Sequence, residues 1–213
     1  MKRTARDSPG SPNRVSREGG SPAKIALGFR VKSGFAIAVA LSGPASAPRI
    51  LARRLVQLSD PAVPETRQPY HDGFYKQQND ARELARRTAI VRHCAAREVT
   101  VLLKDESFGG LPCRGAGLVV GSVIDPARVG NLHIRAHASE GQLFRTVLTE
   151  ALEPHGIACD ISVEKTLAEK AAKRLNRSNA EIARTIAALG KALGGPWRAD
   201  EKAACVAAWM ALA

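Results

Sequence analysis

The sequence predicts one α/β domain on a mixed sheet, in which three antiparallel strands are followed by alternating helices and strands, with helices on both faces. Two observations predict it: three short apolar runs separated by Gly and Pro, and, beyond them, helical periodicity alternating with further apolar runs. With 213 residues, 45% of them hydrophobic, the chain is long enough for one core and short for two. We therefore expect a single domain over residues 23–213.

The three opening runs predict an antiparallel meander. The first covers residues 24–31, the second covers residues 35–42 after a Lys-Ser-Gly turn signal, and the third covers residues 49–58 after a Pro-rich loop. The apolar alternation of the third run slips once, which indicates a β-bulge.

The second half alternates helices with strands. Helical spacing covers residues 77–104, and we expect the helix to end near Ala96 because residues 99–103 could begin a strand instead. The apolar run 117–124, bounded by Gly and by Asp125, predicts a buried central strand. The remaining predicted elements are a helix over 140–154 capped by Ser139, a strand over 156–163, and helices over 166–174, 179–193 and 200–213.

Residues 1–22 differ in composition from the rest. They contain three Ser-Pro pairs among Arg and Gly and almost nothing apolar, so they cannot offset their ordering entropy. We expect a disordered basic tail, which is either an arm for nucleic acid or an extension without function, and we favour the second.

The charge balance favours anionic partners. The chain has 32 Lys and Arg against 20 Asp and Glu, a formal charge of +12. Six of these bases and two of the acids precede Ile25, so the domain retains +8. Such a surface attracts nucleic acid, and the alternative is a basic surface that is only solvated.

The cysteines and the apolar runs predict a cytoplasmic protein. The four cysteines form no C-x-x-C pair, which argues against a zinc ribbon and suits reduced thiols in the cytoplasm. Residues 35–47 imitate the apolar core and cleavage site of a signal peptide, but the leader before them would exceed 30 residues, and a buried strand explains them equally well. No apolar run reaches the roughly 18 residues of a membrane span, so we expect no membrane partner.

The order of the elements and two local patterns resemble the ribonuclease-H-like superfamily and, within it, the Holliday-junction resolvase (RuvC) group. The patterns are Ile25-Ala-Leu-Gly-Phe-Arg-Val-Lys-Ser-Gly-Phe and Arg198-Ala-Asp-Glu-Lys-Ala-Ala-Cys-Val-Ala-Ala-Trp, and the resemblance covers residues 24–213. It implies an Asp on the first strand, an acid at the end of the fourth strand and acids at the start of the last helix, which together hold two metal ions.

This sequence departs from that acidic set. Two divalent ions need several carboxylates to hold them against their mutual repulsion. Arg30 stands where the resemblance implies the first Asp, and the candidate acids that remain are Asp125, Asp200 and Glu201. A nuclease would use these three with Mg or Mn; otherwise we expect no cofactor. The structural alternative is that Asp200 and Glu201 cap the last helix and Asp125 begins a turn.

The stretch 131–145 suggests an anion site. Arg135, His137 and Arg145 surround a predicted helix N-terminus, whose free amides suit a phosphate, and Arg30 is the fourth candidate anion-binding residue. The alternative is a loop whose polar groups bond locally while Leu132 and Ile134 anchor it in the core.

A metal site in the same stretch is disfavoured. Were it helical throughout, His133, His137 and Glu140 would share one face, but a helix capped by Ser139 leaves both histidines before its start. We therefore expect no metal site here.

Common catalytic motifs do not match. No G-x-S-x-G, G-x-x-x-x-G-K-[ST] or G-x-G-x-x-G stands between a strand and a helix.

Three hypotheses remain: a catalytically silent ribonuclease-H-like domain that binds nucleic acid or another anionic partner, a metal-dependent nuclease with an altered acidic set, and a structural interaction domain. We favour the first.

Overall fold

The computed structural model describes residues 24–73 and 76–213, which contain a five-stranded sheet of order β3-β2-β1-β4-β5. The strands are β1 Ile25–Lys32, β2 Phe35–Ser42, β3 Arg49–Gln57, β4 Cys113–Val120 and β5 Cys159–Val163. The first three pair antiparallel, and β4 and β5 join them in parallel beside β1. The predicted sheet is confirmed, while the predicted tail 1–22 lies outside the described residues.

Helices cover both faces of the sheet, as predicted. One face packs against α1 Ala81–Leu103 and α2 Leu132–Leu152. The other packs against α3 Leu167–Leu175, α4 Asn179–Leu193 and α5 Ala199–Leu212. Side chains of β1 alternate between the two cores, with Phe29 in the first and Ala26 in the second.

Helix α5 lies directly on the centre of the sheet. A Cβ atom on Gly28 of β1 would collide with the backbone carbonyl oxygen of Ala204, and one on Gly117 of β4 would lie 2.7 Å from that of Ala207. Glycine on the strands and alanine on the helix therefore permit an approach that larger residues would block. This contact explains why α5 is almost entirely apolar after Lys202.

Strand β3 contains the predicted bulge. Pairing between β2 and β3 shifts between Ala40 and Leu41, which confirms it.

The first helix is longer than predicted. Helix α1 continues to Leu103, so the suggested strand over 99–103 is wrong. Val99 and Leu102 extend its buried stripe, and the helical conformation keeps them in the core.

The bounds predicted for the central strand are wrong. Strand β4 starts at Cys113, opposite Ile25 of β1, and ends at Val120, one residue after its last pair with β1, Arg30–Val119. The predicted extension therefore lies beyond the sheet, and Val123 and Ile124 are exposed.

Helix α2 starts earlier than predicted. Asn131 is its N-cap, with Oδ1 accepting a hydrogen bond from the Ile134 backbone N–H at 3.1 Å, and the predicted cap at Ser139 is wrong. Leu132 and Ile134 are 55% and 52% exposed, which excludes the alternative that they anchor a loop in the core.

The apolar segment 35–47 contributes the buried strand β2. All four cysteines are free thiols. Over the two described ranges, none of the helices combines the length and the apolar character needed to cross a bilayer.

Candidate functional site

The parallel strands β1, β4 and β5 end at one edge of the sheet, where α5 begins. In open α/β sheets, ligands bind at the carboxyl ends of such strands. A cavity of about 260 Å³ opens here, and the residues that line it include Arg30, Lys32, Gly121, Ser122, His137 and Gly141. This cavity is the candidate site.

Arg30 is buried at the base of the edge, with 4% of its surface exposed. Its Nη2 donates to Glu164 Oε2 at 2.5 Å, and its Nη1 donates to the Val119 carbonyl oxygen at 3.4 Å. Its Nε lies 3.4 Å from Asp200 Oδ1. Protein oxygens therefore surround the guanidinium, as a buried charge requires.

Lys32 completes an ion-pair cluster with Arg30, Glu164 and Asp200. Its Nζ lies 3.0 Å from the same Asp200 Oδ1 that faces Arg30. Asp200 is one helical turn before Ala204, so the contact of Ala204 with Gly28 also brings Asp200 to Arg30. The charges of the two cations and the two carboxylates cancel here. The sequence analysis did not identify Lys32 or Glu164 as members of this cluster.

The other two candidate acids have local structural contacts. Glu201 is buried, and its Oε2 accepts from the Arg198 backbone N–H at 2.9 Å, which caps α5. Asp125 Oδ1 accepts from the Ala127 backbone N–H at 3.0 Å and starts a short turn. Of the three acids, only Asp200 contacts Arg30 within the described part of the chain.

Three of the four candidate anion-binding residues, Arg30, His137 and Arg145, line the cavity or contact its wall. His137 lines the cavity with Arg30. Arg145 Nη1 is 3.5 Å from the carbonyl oxygen of Ser122, a residue of the cavity wall. Arg135 Nε instead donates to the Val129 carbonyl oxygen at 2.8 Å, which ties the start of α2 to the preceding turn.

The early start of α2 places His133, His137 and Glu140 in one helix and on one face, and His71 meets them there. His71 comes from the loop between β3 and α1, which the sequence did not connect with this stretch. The buried Arg87 holds that loop, since its Nη1 donates to the His71 carbonyl oxygen at 2.8 Å.

Glu140 and His71 form a buried pair, with Oε1 and Nδ1 2.7 Å apart. Burial raises the pKa of Glu140 to about 7, and the nearby His137 and the Tyr70 backbone only partly oppose this shift. Burial lowers the pKa of His71. Both shifts favour the uncharged form, because desolvation penalises the charged form of each group.

Comparison with known proteins gives matches of structure rather than sequence. No protein-family model matches the chain, and no curated protein matches it in sequence. Thermus thermophilus RuvC in complex with Holliday junction substrate matches with a TM-score of 0.50 and 11% identity, over 88% of this chain and 91% of that chain. Another Thermus thermophilus RuvC structure matches with a TM-score of 0.50 and 10% identity, over 87% of this chain and 92% of that chain.

The yeast mitochondrial Holliday junction resolvase Ydc2 matches with a TM-score of 0.42 and 12% identity, over 90% of this chain and 81% of that chain. The two RuvC matches confirm the resemblance at the level of the fold, which is the ribonuclease-H-like α/β fold.

Proposed function

We propose that this protein binds nucleic acid at the edge where β1, β4 and β5 end, without two-metal nuclease chemistry. The observation that carries the proposal is the ion-pair cluster, in which Arg30 and Lys32 both approach Asp200. Arg30 thus occupies the position at which the resemblance implies a metal-binding carboxylate, and Lys32 approaches the same acid of α5.

Electrostatics argues against two metal ions at this edge. Two divalent cations need several carboxylate oxygens directed at them. Here Asp200 already has two cationic neighbours, Glu164 is bonded to Arg30, and Glu201 caps its own helix. The cluster is locally neutral, so it offers no excess negative charge to bind further cations.

The same edge suits phosphate. Lys32 and Arg145 are at its rim, and the domain from Ile25 onwards has a formal charge of +8. Arg30 is enclosed by protein oxygens, so in this proposal it supports Lys32 and Asp200 rather than contacting phosphate itself. The fold is shared with a RuvC solved with a Holliday junction substrate, which makes branched DNA the first probe to use.

The test is binding of the full chain to labelled single-stranded, duplex and four-way-junction DNA, measured by fluorescence anisotropy across a salt series. Phosphate binding should weaken steeply between about 50 and 200 mM salt. Lys32→Ala and Arg145→Ala should each weaken binding to all three DNAs and reduce the salt slope by about 1.

Arg49→Ala is the matched control. Arg49 is exposed and pairs with Ser42, which pairs with Ile25 at the opposite end of β1 from Arg30. The Arg49→Ala variant should bind DNA with the affinity and salt dependence of the wild type. A DNA affinity that does not change with salt concentration, or an equal loss of DNA affinity in all three variants, would contradict the proposal and favour a structural interaction domain.

The absence of two-metal chemistry is tested separately. The full chain is incubated with the same DNAs and Mg²⁺ or Mn²⁺, and no cleavage is expected. Metal-dependent cleavage that disappears in the double variant Asp200→Asn, Glu201→Gln would overturn this half of the proposal and establish a nuclease with an altered acidic set.

A further inference from the structure

Three of the five histidines of the chain converge at one point. His71 comes from the loop after β3, and His133 and His137 come from the first two turns of α2. One ring nitrogen of each lies within 4.8 Å of the corresponding nitrogens of the other two. The remaining two, His93 and His155, are exposed on other parts of the chain. Imidazole nitrogens are common ligands of transition metals.

The spacing of His133 and His137 matches that of two ligands of one metal ion. His133 Nε2 and His137 Nε2 are 3.2 Å apart. A tetrahedral zinc ion with Zn–N bonds of about 2.0–2.1 Å places neighbouring ligand nitrogens about 3.3 Å apart. These two histidines already have the required separation, and their i, i+4 spacing on a helix maintains it.

Glu140 lies behind two of the three rings and is hydrogen-bonded to that of His71. Its Oε1 is 2.7 Å from His71 Nδ1, and its Oε2 is 3.5 Å from His137 Nδ1. Both rings therefore turn Nδ1 toward the carboxylate, so that Nε2 faces the centre of the cluster, where the Nε2 atoms of His137 and His133 share a hydrogen bond. His71 Nε2 is buried and has no hydrogen-bond partner among the described residues. A carboxylate that holds the far nitrogen of a ligating histidine is the usual support of such sites.

We propose that His71, His133 and His137 bind one divalent transition-metal ion, with zinc the ion that suits them best, and that Glu140 positions the rings of His71 and His137. Three imidazoles without a carboxylate ligand suit zinc and disfavour Mg²⁺, which prefers oxygen ligands. The site is thus chemically different from an acidic two-metal site.

The location of the site gives it a role at the candidate interface. Three protein ligands leave a fourth zinc position for water or for an oxygen of a ligand. His137 is half-exposed and lines the cavity beside Arg30 and Lys32. The ion therefore adds positive charge next to the proposed DNA-binding edge, although its binding does not depend on DNA.

The experiment titrates Zn²⁺ into the chelator-treated full chain, against a chromophoric competitor and without DNA. We expect one equivalent to bind. Co²⁺ in place of Zn²⁺ should give the intense visible absorption of a tetrahedral ion, and X-ray absorption on the zinc form should report three imidazoles. These two spectroscopic readouts need no variant, so a failure to fold cannot obscure them.

Variants assign the ligands. Glu140→Gln should weaken zinc binding by about 10- to 100-fold. His133→Ala and His137→Ala should each weaken it at least as much, with folding checked by circular dichroism. His93→Ala and His155→Ala are the matched controls and should bind as the wild type does. Added zinc should raise the Tm of the wild type and of these controls, because an ion that binds only the folded state stabilises it.

Two results would overturn the proposal. One is the absence of stoichiometric zinc binding by the wild type, which would make the cluster a hydrogen-bonded packing arrangement around Glu140. The other is equal loss of affinity in the control and cluster variants, which would place the ion elsewhere. Neither result affects the DNA-binding measurements above, so the two proposals fail separately.

Discussion

Arg30 on β1 and Asp200 at the start of α5 lie 3.4 Å apart, from Nε to Oδ1, across the junction of sheet and helix. One helical turn further along α5, Ala204 rests on Gly28 of the same strand. The backbone contact and the ion pair are thus two parts of one interface. The position that the resemblance implies for a metal-binding acid instead contains a cation neutralised by its neighbours.

Replacing Arg30 should destabilise the fold. Arg30→Met leaves Glu164 and Asp200 without their shared partner and removes the hydrogen bond from Arg30 to the Val119 carbonyl oxygen. Because both carboxylates are partly exposed, we expect a loss of about 1–3 kcal/mol in the free energy of unfolding, measured by urea denaturation. Lys32→Met, at the more exposed cation of the cluster, should lose less than about 1 kcal/mol. An Arg30→Met protein as stable as the wild type would contradict this prediction.

Two glycine substitutions should act in opposite directions. Gly28→Ala forces α5 away from the sheet, because the added methyl group meets backbone atoms of Ala204 and Ala208 that cannot rotate aside. We expect a loss of about 3 kcal/mol or more, measured by thermal and urea unfolding.

Gly141→Ala is the control for this pair. Gly141 lies inside α2 with open space around it, so alanine should stabilise the helix by about 1 kcal/mol. Equal effects of the two substitutions would contradict close packing of α5 on β1.

The ion pairs at the start of α1 should make stability depend on acid pH. Hydrogen bonds from Arg86 and then Arg87 lower the pKa of Glu83 from 4.5 to about 2. A carboxylate whose pKa is lower in the folded state stabilises the fold above its unfolded pKa and loses this effect as pH falls through its folded pKa. The stability advantage of the wild type over Glu83→Gln, measured by urea denaturation, should therefore shrink between about pH 5 and pH 2. A difference that stays constant over this range would refute the assignment.

Native thiol reactivity should rank the cysteines. Burial raises the pKa of Cys205 to about 12, and its side chain, on α5, is fully buried in the core between this helix and the sheet. Alkylation needs the thiolate, so Cys205 should resist iodoacetamide at pH 8 until the protein unfolds. The partly exposed Cys159 should react earlier, although burial raises its pKa to about 11. Peptide mass spectrometry after timed labelling measures the order, and early labelling of Cys205 would contradict the packing of α5.

Local sequence patterns were sufficient for much of the architecture. The opening meander, its bulge and the bounds of α4 follow from period-two and helical spacing between Gly and Pro breaks, which act over a few residues. The replacement of the implied first-strand acid by Arg30 is also readable directly from the sequence. So is the capping role of Glu201, because a helix N-terminus favours an acid there regardless of what surrounds it.

Only the tertiary structure decided how the site is assembled. Asn131 and Ser139 are both good N-caps, and their contributions to helix stability differ by less than about 1 kcal/mol. The start of α2 therefore depends on the packing of its first turns. Arg30 and Glu164 are 134 residues apart in sequence, and His71 and Glu140 are 69 apart. No local pattern encodes such pairs, because sheet order and helix packing determine which distant side chains meet. The same limitation concealed the histidine cluster, whose third member is in a loop and whose other two depend on where a helix begins.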